Sequence, residues 1–391
     1  ACNAAYLVPQ GTLRMMVVGT SNRPATLAEL EEMKRLLAQG LKEGAAGMSS
    51  GLTYTPGMFA DTDELVELCR VVAAYDGYYS PHQRSYGKGA VRAYAEMVEV
   101  ARLSGCALHL THATMNFEPN RGRAADLLAL IDKALADGID ITTDTYPYLP
   151  GATTLAAILP SWTAEGGADA QLARLQDPAD RARITYELEQ IGSDGCHGCV
   201  TDWDTIEIGG VKNPELVDAV GNTIAGLATR AARPPAEVFF DLLVRDGLAT
   251  TILQHVGHEE NVQAIMKHPT HTGGSDAILV GAKPHPRTWG TFPRYLAHYV
   301  RELGVLDLAD CVHHLTGRPA RRLRLPDRGL VREGFHADLV LFDPDGVQDT
   351  ATFDDPRRQA AGIPWVLVGG TPVIEAGART DALPGRALRR T

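Results

Sequence analysis

The sequence predicts an α/β fold, a β/α barrel followed by a small β domain. Three observations predict it. Strand-like and helix-like patterns alternate with short connections up to about residue 146, which implies parallel strands with helical crossovers. No Gly-rich phosphate turn follows the first apolar run, so an open dinucleotide-binding sheet is disfavoured. Polar residues fall at the C-terminal ends of the predicted strands, where barrel active sites lie.

Arg14 to Gly19 reads as a short apolar strand. The following helix opens with a capping box, Thr26 and Glu29, shows an apolar face at Leu27, Leu30, Met33, Leu37 and Leu41, and closes at Gly44. Three further units follow: strand Ala45 to Ser50 and helix Asp61 to Tyr75; strand Gly77 to His82 and helix Val91 to Leu103; strand Cys106 to His112 and helix Arg123 to Ala136. Ile139 to Thr145 is the next strand. Residues of about 155–271 read as a mostly helical insertion. Thr272 to Ser275 reads as a further strand that ends at Asp276, and helices follow around Arg294 to Leu303 and Leu306 to Leu315. Beyond residue 316 the pattern turns to short β segments: Gly329 to Gly334, Ala337 to Phe342 and Trp365 to Glu375. The expected division is a barrel over 1–316, carrying the insertion, and a small β domain over 317–391.

Composition narrows the function. The chain has 391 residues, 45% hydrophobic and 22% charged, enough for a large core. Its net charge of -11 argues against nucleic acid as a partner, and no apolar run reaches the roughly 20 residues that span a bilayer. Six scattered cysteines read as reduced thiols, which places the protein in the cytoplasm. The Cys196-His197-Gly198-Cys199 cluster resembles half a zinc knuckle, but no second pair lies at a suitable spacing, so it reads as a plain loop. His255, His258, His268 and His271 read as loop and helix-end polarity.

His82 and His112 end neighbouring predicted strands, and Asp276 ends the last one. In a barrel this sets two imidazoles and a carboxylate at one mouth, the donor set of a hydrolytic metal site. A structural histidine at each strand end is the competing reading. His109 shares the strand of His112 with opposite parity and should point away from the barrel centre. Tyr146 either donates a hydrogen bond to a ligand or packs under its X-Pro turn. Arg287 either grips a carboxylate through its planar fork or lies in a surface loop.

These segments resemble a known family. Gly47-Met48-Ser49-Ser50-Gly51-Leu52-Thr53-Tyr54, His82-Gln83-Arg84, Leu110-Thr111-His112, Asp144-Thr145-Tyr146-Pro147-Tyr148, Gly274-Ser275-Asp276 and the stretch from Lys283 to Arg294 look like the N-acyl-D-amino-acid deacylases of the amidohydrolase superfamily, in order and over the whole chain. The resemblance implies a (β/α)8 TIM-like metal-dependent hydrolase barrel with a small β-sandwich, a zinc cofactor and a small N-acyl amino acid as substrate. It implies that His82 and His112 ligate zinc, that Asp276 is the catalytic carboxylate, and that Arg287, Tyr54 and Tyr146 bind substrate. Ala113 and Thr114 stand where the family has His and a carboxylate-binding Lys, Ala152 replaces a pocket Ser, and Ser85-Tyr86 replaces Asp-Glu. The family's first strands, with a His-x-His or His-x-Asp and a Cys ligand, have no counterpart before Cys2-Asn3-Ala4-Ala5; either a separate N-terminal segment carries them or the chain is a truncated product, and a homo-oligomer is the other partner expectation. Two rival functions follow. A cyclic-amide hydrolase of the hydantoinase or dihydroorotase kind would need a bridging lysine that Gly47 to Ser50 lacks. A catalytically inactive homologue is the other.

Overall fold

A computed structural model describes residues 2–390. Five strands and five helices alternate first: β1 (Leu7–Pro9), α1 (Gln10–Val17), α2 (Leu27–Lys42), β2 (Gly47–Gly51), α3 (Thr62–Ala74), β3 (Tyr78–His82), α4 (Ala90–Ser104), β4 (Ala107–Leu110), α5 (Ala124–Ala136) and β5 (Ile141–Thr145). The chain then leaves the sheet to build an antiparallel trio, β6 (Gly151–Thr154), β7 (Ile206–Gly210) and β8 (Thr251–Gln254), with β8 in the middle. It returns through the helix Glu259–Met266 to β9 (His271–Gly273), which pairs in parallel with β5. The six parallel strands run β1-β2-β3-β4-β5-β9 and form the wall of a β/α barrel. Met48, Tyr79, Leu108, Leu110 and Ile141 pack outward on Met33, Leu37, Leu65 and Met97 of the helices, in one core. At roughly 1.5–3 kcal/mol per fully buried large apolar side chain, this layer dominates the barrel's stability.

The Thr26–Glu29 capping box forms, and α2 buries Met33, Leu37 and Leu41. Leu27, expected on the same face, is 84% exposed because it sits at the first turn, beyond the core's edge. The run Arg14 to Gly19 is largely helix, not strand: Leu7–Pro9 is the strand, and a short apolar run is equally compatible with either. Arg14 on α1 is fully buried, paired with Glu64 of α3. Residues 155–271 are helical over much of their length, but not throughout. They contain two of the three antiparallel strands, and their own core of Leu155, Ile158, Trp203, Ile208, Phe239 and Ile252. The helix Gly317–Arg322 packs on the barrel, where Arg322 bonds Thr142 and Asp140. The tail is a four-stranded antiparallel sheet, β10 (Leu339–Leu341), β11 (Trp365–Val368), β12 (Thr371–Glu375) and β13 (Ala378–Arg379). Gly329 to Gly334, expected as a β segment, forms turns because Gly329 and Gly334 both adopt positive φ.

The trio is tied to the loop that follows β9 through one carboxylate. Glu207 of β7 meets Lys283 at 2.5 Å and His255 at 2.9 Å. The His255 hydrogen bond, then the Lys283 ammonium, overcome burial and hold its pKa down to about 2. The folded value lies below the usual one near 4.5, so this contribution is full above about pH 4.5 and is lost as pH falls toward 2. Glu207→Gln is expected to destabilise by about 1–3 kcal/mol at pH 7 and by much less at pH 3, as read by urea unfolding at the two pH values.

Candidate metal and substrate site

The pocket at the C-terminal ends of β2 to β5 is a cavity of about 300 Å³. It is lined by Tyr54, His82, His112, Tyr146 and Asp276, five of the six residues singled out from the sequence. His82 is the last residue of β3, so its ring projects over the strand end. β4 ends at Leu110, and two residues later His112 takes a left-handed backbone, φ 36°. The turn, not strand alternation, aims the His112 ring. His82 Nδ1 and His112 Nε2 face each other at 3.1 Å. Their outer nitrogens are held by hydroxyls: His82 Nε2 by Thr53 Oγ1 at 2.8 Å, and His112 Nδ1 by Tyr86 Oη at 2.9 Å.

The parity argument for His109 fails for the same reason. Leu108 and Leu110 belong to the outer core, so His109 between them faces the barrel interior. There its Nε2 meets Asp144 Oδ2 at 2.9 Å and its Nδ1 meets Thr142 Oγ1 at 2.7 Å. The other oxygen of Asp144 accepts the backbone N–H of His112. Asp144 thus holds the strained turn that presents the His112 ring. Burial opposes this carboxylate's charge, but the His109 hydrogen bond and the His112 N–H outweigh it and lower its pKa.

The donor set tests the fit of a metal. Two ligands at 2.0–2.1 Å on a tetrahedral ion stand about 3.3 Å apart, close to the separation of the two facing nitrogens. Burial, then the neighbouring His112 and His197, keeps His82 well below the usual histidine pKa and therefore neutral, as a ligand must be. Thr53 and Tyr86 give each imidazole the outer hydrogen bond that orients metal-bound histidines. The two histidines fit a divalent cation as a pair. Among the described residues, no group of three or more His, Cys, Asp or Glu side chains is arranged to hold one.

Asp276 follows β9 in the loop, also left-handed at φ 45°. Arg287 Nη2 lies 2.7 Å from Asp276 Oδ2. The arginine is completely buried, none of its guanidinium nitrogens makes a well-aligned hydrogen bond within the protein, and its charge sits 4.5 Å above the Tyr146 ring. It stands behind the pocket wall and does not line it. Burial pushes the Tyr146 phenol up to about 12, so it remains a proton donor. Tyr54, about one-third exposed, lies with its ring tilted against His82, 5.0 Å between centroids, and bonds Thr153 Oγ1 at 2.9 Å.

Sequence reasoning missed four contributors: Thr53, Tyr86, Asp144 as a positioning group, and His197. His197, taken for part of a plain loop, lines the pocket beside Tyr86 and Phe117, and its Nδ1 is buried without a partner. Burial lowers its pKa to about 4. The only signal for it was its place between two cysteines. Of the four histidines read as loop and helix-end polarity, His255 bonds Glu207, His258 bonds the Phe117 carbonyl and His268 bonds Asp132, whereas His271 opens β9, wholly buried, with its Nδ1 3.0 Å from His314 Nδ1.

With this geometry in hand, the chain can be compared with known proteins. A family model described as the amidohydrolase family matches residues 3–374. D-aminoacylase of Alcaligenes xylosoxydans xylosoxydans is 34% identical over 393 residues, which cover 100% of this chain and 71% of that protein. The N-acyl-D-glutamate deacylase of the same organism is 35% identical over 388 residues, 99% of this chain and 70% of that one. Among solved structures, the N-acyl-D-glutamate deacylase of Bordetella bronchiseptica, complexed with zinc and a phosphonate mimic of the tetrahedral intermediate, superposes with a TM-score of 0.83 at 31% identity, over 99% of this chain and 72% of that one. A D-aminoacylase structure gives a TM-score of 0.82 at 32% identity, with the same coverage.

Proposed function

Because this chain belongs to the amidohydrolase family, with deacylases of N-acyl-D-amino acids among its relatives, we propose that it hydrolyses the amide bond of a small N-acyl-D-amino acid, giving a carboxylate and a free amine. The observation that carries this reading is the convergence of the His82–His112 pair and Asp276 on one pocket. His82 and His112 would hold zinc. When bound, zinc supplies a Lewis acid that polarises the amide carbonyl and brings the pKa of water toward about 7.

The chain's own groups do the rest. Asp276 takes a proton from the attacking water and hands it to the leaving nitrogen, so that water adds to the acyl carbon and the C–N bond breaks. Arg287 orients the carboxylate of Asp276. Tyr146 and Tyr54 offer phenol hydrogens to the substrate. Six free cysteines, five of them buried, support a cytoplasmic enzyme.

Release of free amine from N-acetyl-D-amino acids, abolished by a chelator and restored by zinc, tests the reading; no release from any D-substrate would reject it. The pocket also carries a preference. None of its lining side chains is Lys or Arg among the described residues, and Thr114 stands where the family pattern has a Lys. Arg287 is already paired with Asp276. A second carboxylate on the substrate would be desolvated there without a partner, at a cost of several kcal/mol. N-acetyl-D-leucine is therefore expected to exceed N-acetyl-D-glutamate in kcat/KM by at least about 10²-fold, measured at matched ionic strength.

A further inference from the structure

A second cavity, of about 280 Å³, adjoins the reaction pocket and shares Tyr54, Ala152, Thr153 and Ile278 with it. Its floor is the open face of the β6-β8-β7 sheet, at Thr251 and Leu253, and its roof is the loop after β9, at Val280 and Pro284. Besides the hydroxyls of Tyr54, Thr153, Thr154 and Thr251, two polar side chains reach it, and both are already satisfied. Lys283 is paired with Glu207 at 2.5 Å. His285, which burial keeps neutral, bonds the Pro150 carbonyl at 2.9 Å.

The roof loop is the segment that carries Asp276, and its Val280, which lines the annex, is 61% exposed. A cavity whose cation is paired and whose rim is apolar, open to the space where the scissile amide must lie, is a receptor for hydrocarbon.

Resting on the deacylase reading, we propose that this annex binds an aliphatic substituent of the substrate longer than acetyl. The substituent is attached to the scissile amide either as its acyl chain or as the amino-acid side chain. Tyr54 and Ala152, common to both cavities, form the threshold that the substituent crosses.

Two substrate series on the zinc-loaded enzyme distinguish the sources. One lengthens the acyl group on D-alanine from acetyl to octanoyl. The other keeps acetyl and lengthens the side chain from D-alanine to D-norleucine. Each methylene taken out of water is worth about fourfold, so one series should gain roughly tenfold or more in kcat/KM; flat or falling values in both overturn the proposal. Val280→Asp puts a charge in the roof at an already exposed position, and it should shrink that gain to about threefold or less. An undiminished gain in the variant places the hydrocarbon elsewhere and also overturns it.

Calorimetric binding of the products, octanoate against acetate and D-norleucine against D-alanine, separates this proposal from the reading it rests on. Tighter binding of the longer member, lost in Val280→Asp, supports the annex even if no D-substrate turns over. Turnover with no length dependence in rate or binding leaves the deacylase reading standing and rejects the annex.

Discussion

Asp276→Asn is expected to lower kcat by about 10²–10⁴-fold, the usual weight of a positioned general acid–base group, while zinc content stays at the wild-type level. Asparagine keeps the size of the side chain and an acceptor oxygen near Arg287, but it cannot take up a proton. The check is kcat at saturating N-acyl-D-amino acid together with metal analysis of the same preparation. Activity within about tenfold of wild type would remove Asp276 from the proton relay. Because Arg287 is wholly buried and Asp276 is its ion-pair partner, the variant should also melt at a lower temperature. Neutralising the partner of a buried charge leaves that charge uncompensated. A thermal melt therefore separates lost chemistry from lost fold.

His82→Ala and His112→Asn should each reduce zinc content and bring turnover to the background of the metal-free protein. Asparagine is chosen at 112 because the left-handed backbone there, φ 36°, suits it. The hydroxyl that holds the His112 ring gives a graded companion: Tyr86→Phe should weaken metal affinity by about 10–100-fold. Competition with a chromophoric chelator reads these affinities. Full zinc content in His82→Ala would show that the facing imidazoles are a structural pair.

Much of the site was legible because barrel chemistry sits where strands stop. His82 falls at the end of a run with strand character, so its position in the mouth followed from the pattern alone. Tyr54, Tyr146 and Asp276 were reached through ordered motifs, and all three line the pocket. Arg287 was expected to meet the substrate and instead lies behind the wall, against Asp276 and Tyr146. Residue type could not distinguish these two places, since a guanidinium suits either carboxylate.

His109 and His112 show where one-dimensional reasoning stops. Alternation holds only while the backbone stays extended, and β4 ends two residues before His112. The left-handed turn there depends on Asp144, a residue of the next strand, accepting the His112 N–H.

By itself, the sequence determined the alternating α/β architecture, the capping box of the first long helix and which residue types stand at strand ends, because each depends on neighbours within a few positions. Only the tertiary structure decided that His82 and His112 face each other, that Thr53, Tyr86 and Asp144 brace them, that His197 arrives from the insertion, and that an apolar annex opens beside them. Those contacts join residues from about 26 to more than 100 positions apart, and their geometry follows from how helices, sheet and loops close over one core, which no local pattern encodes.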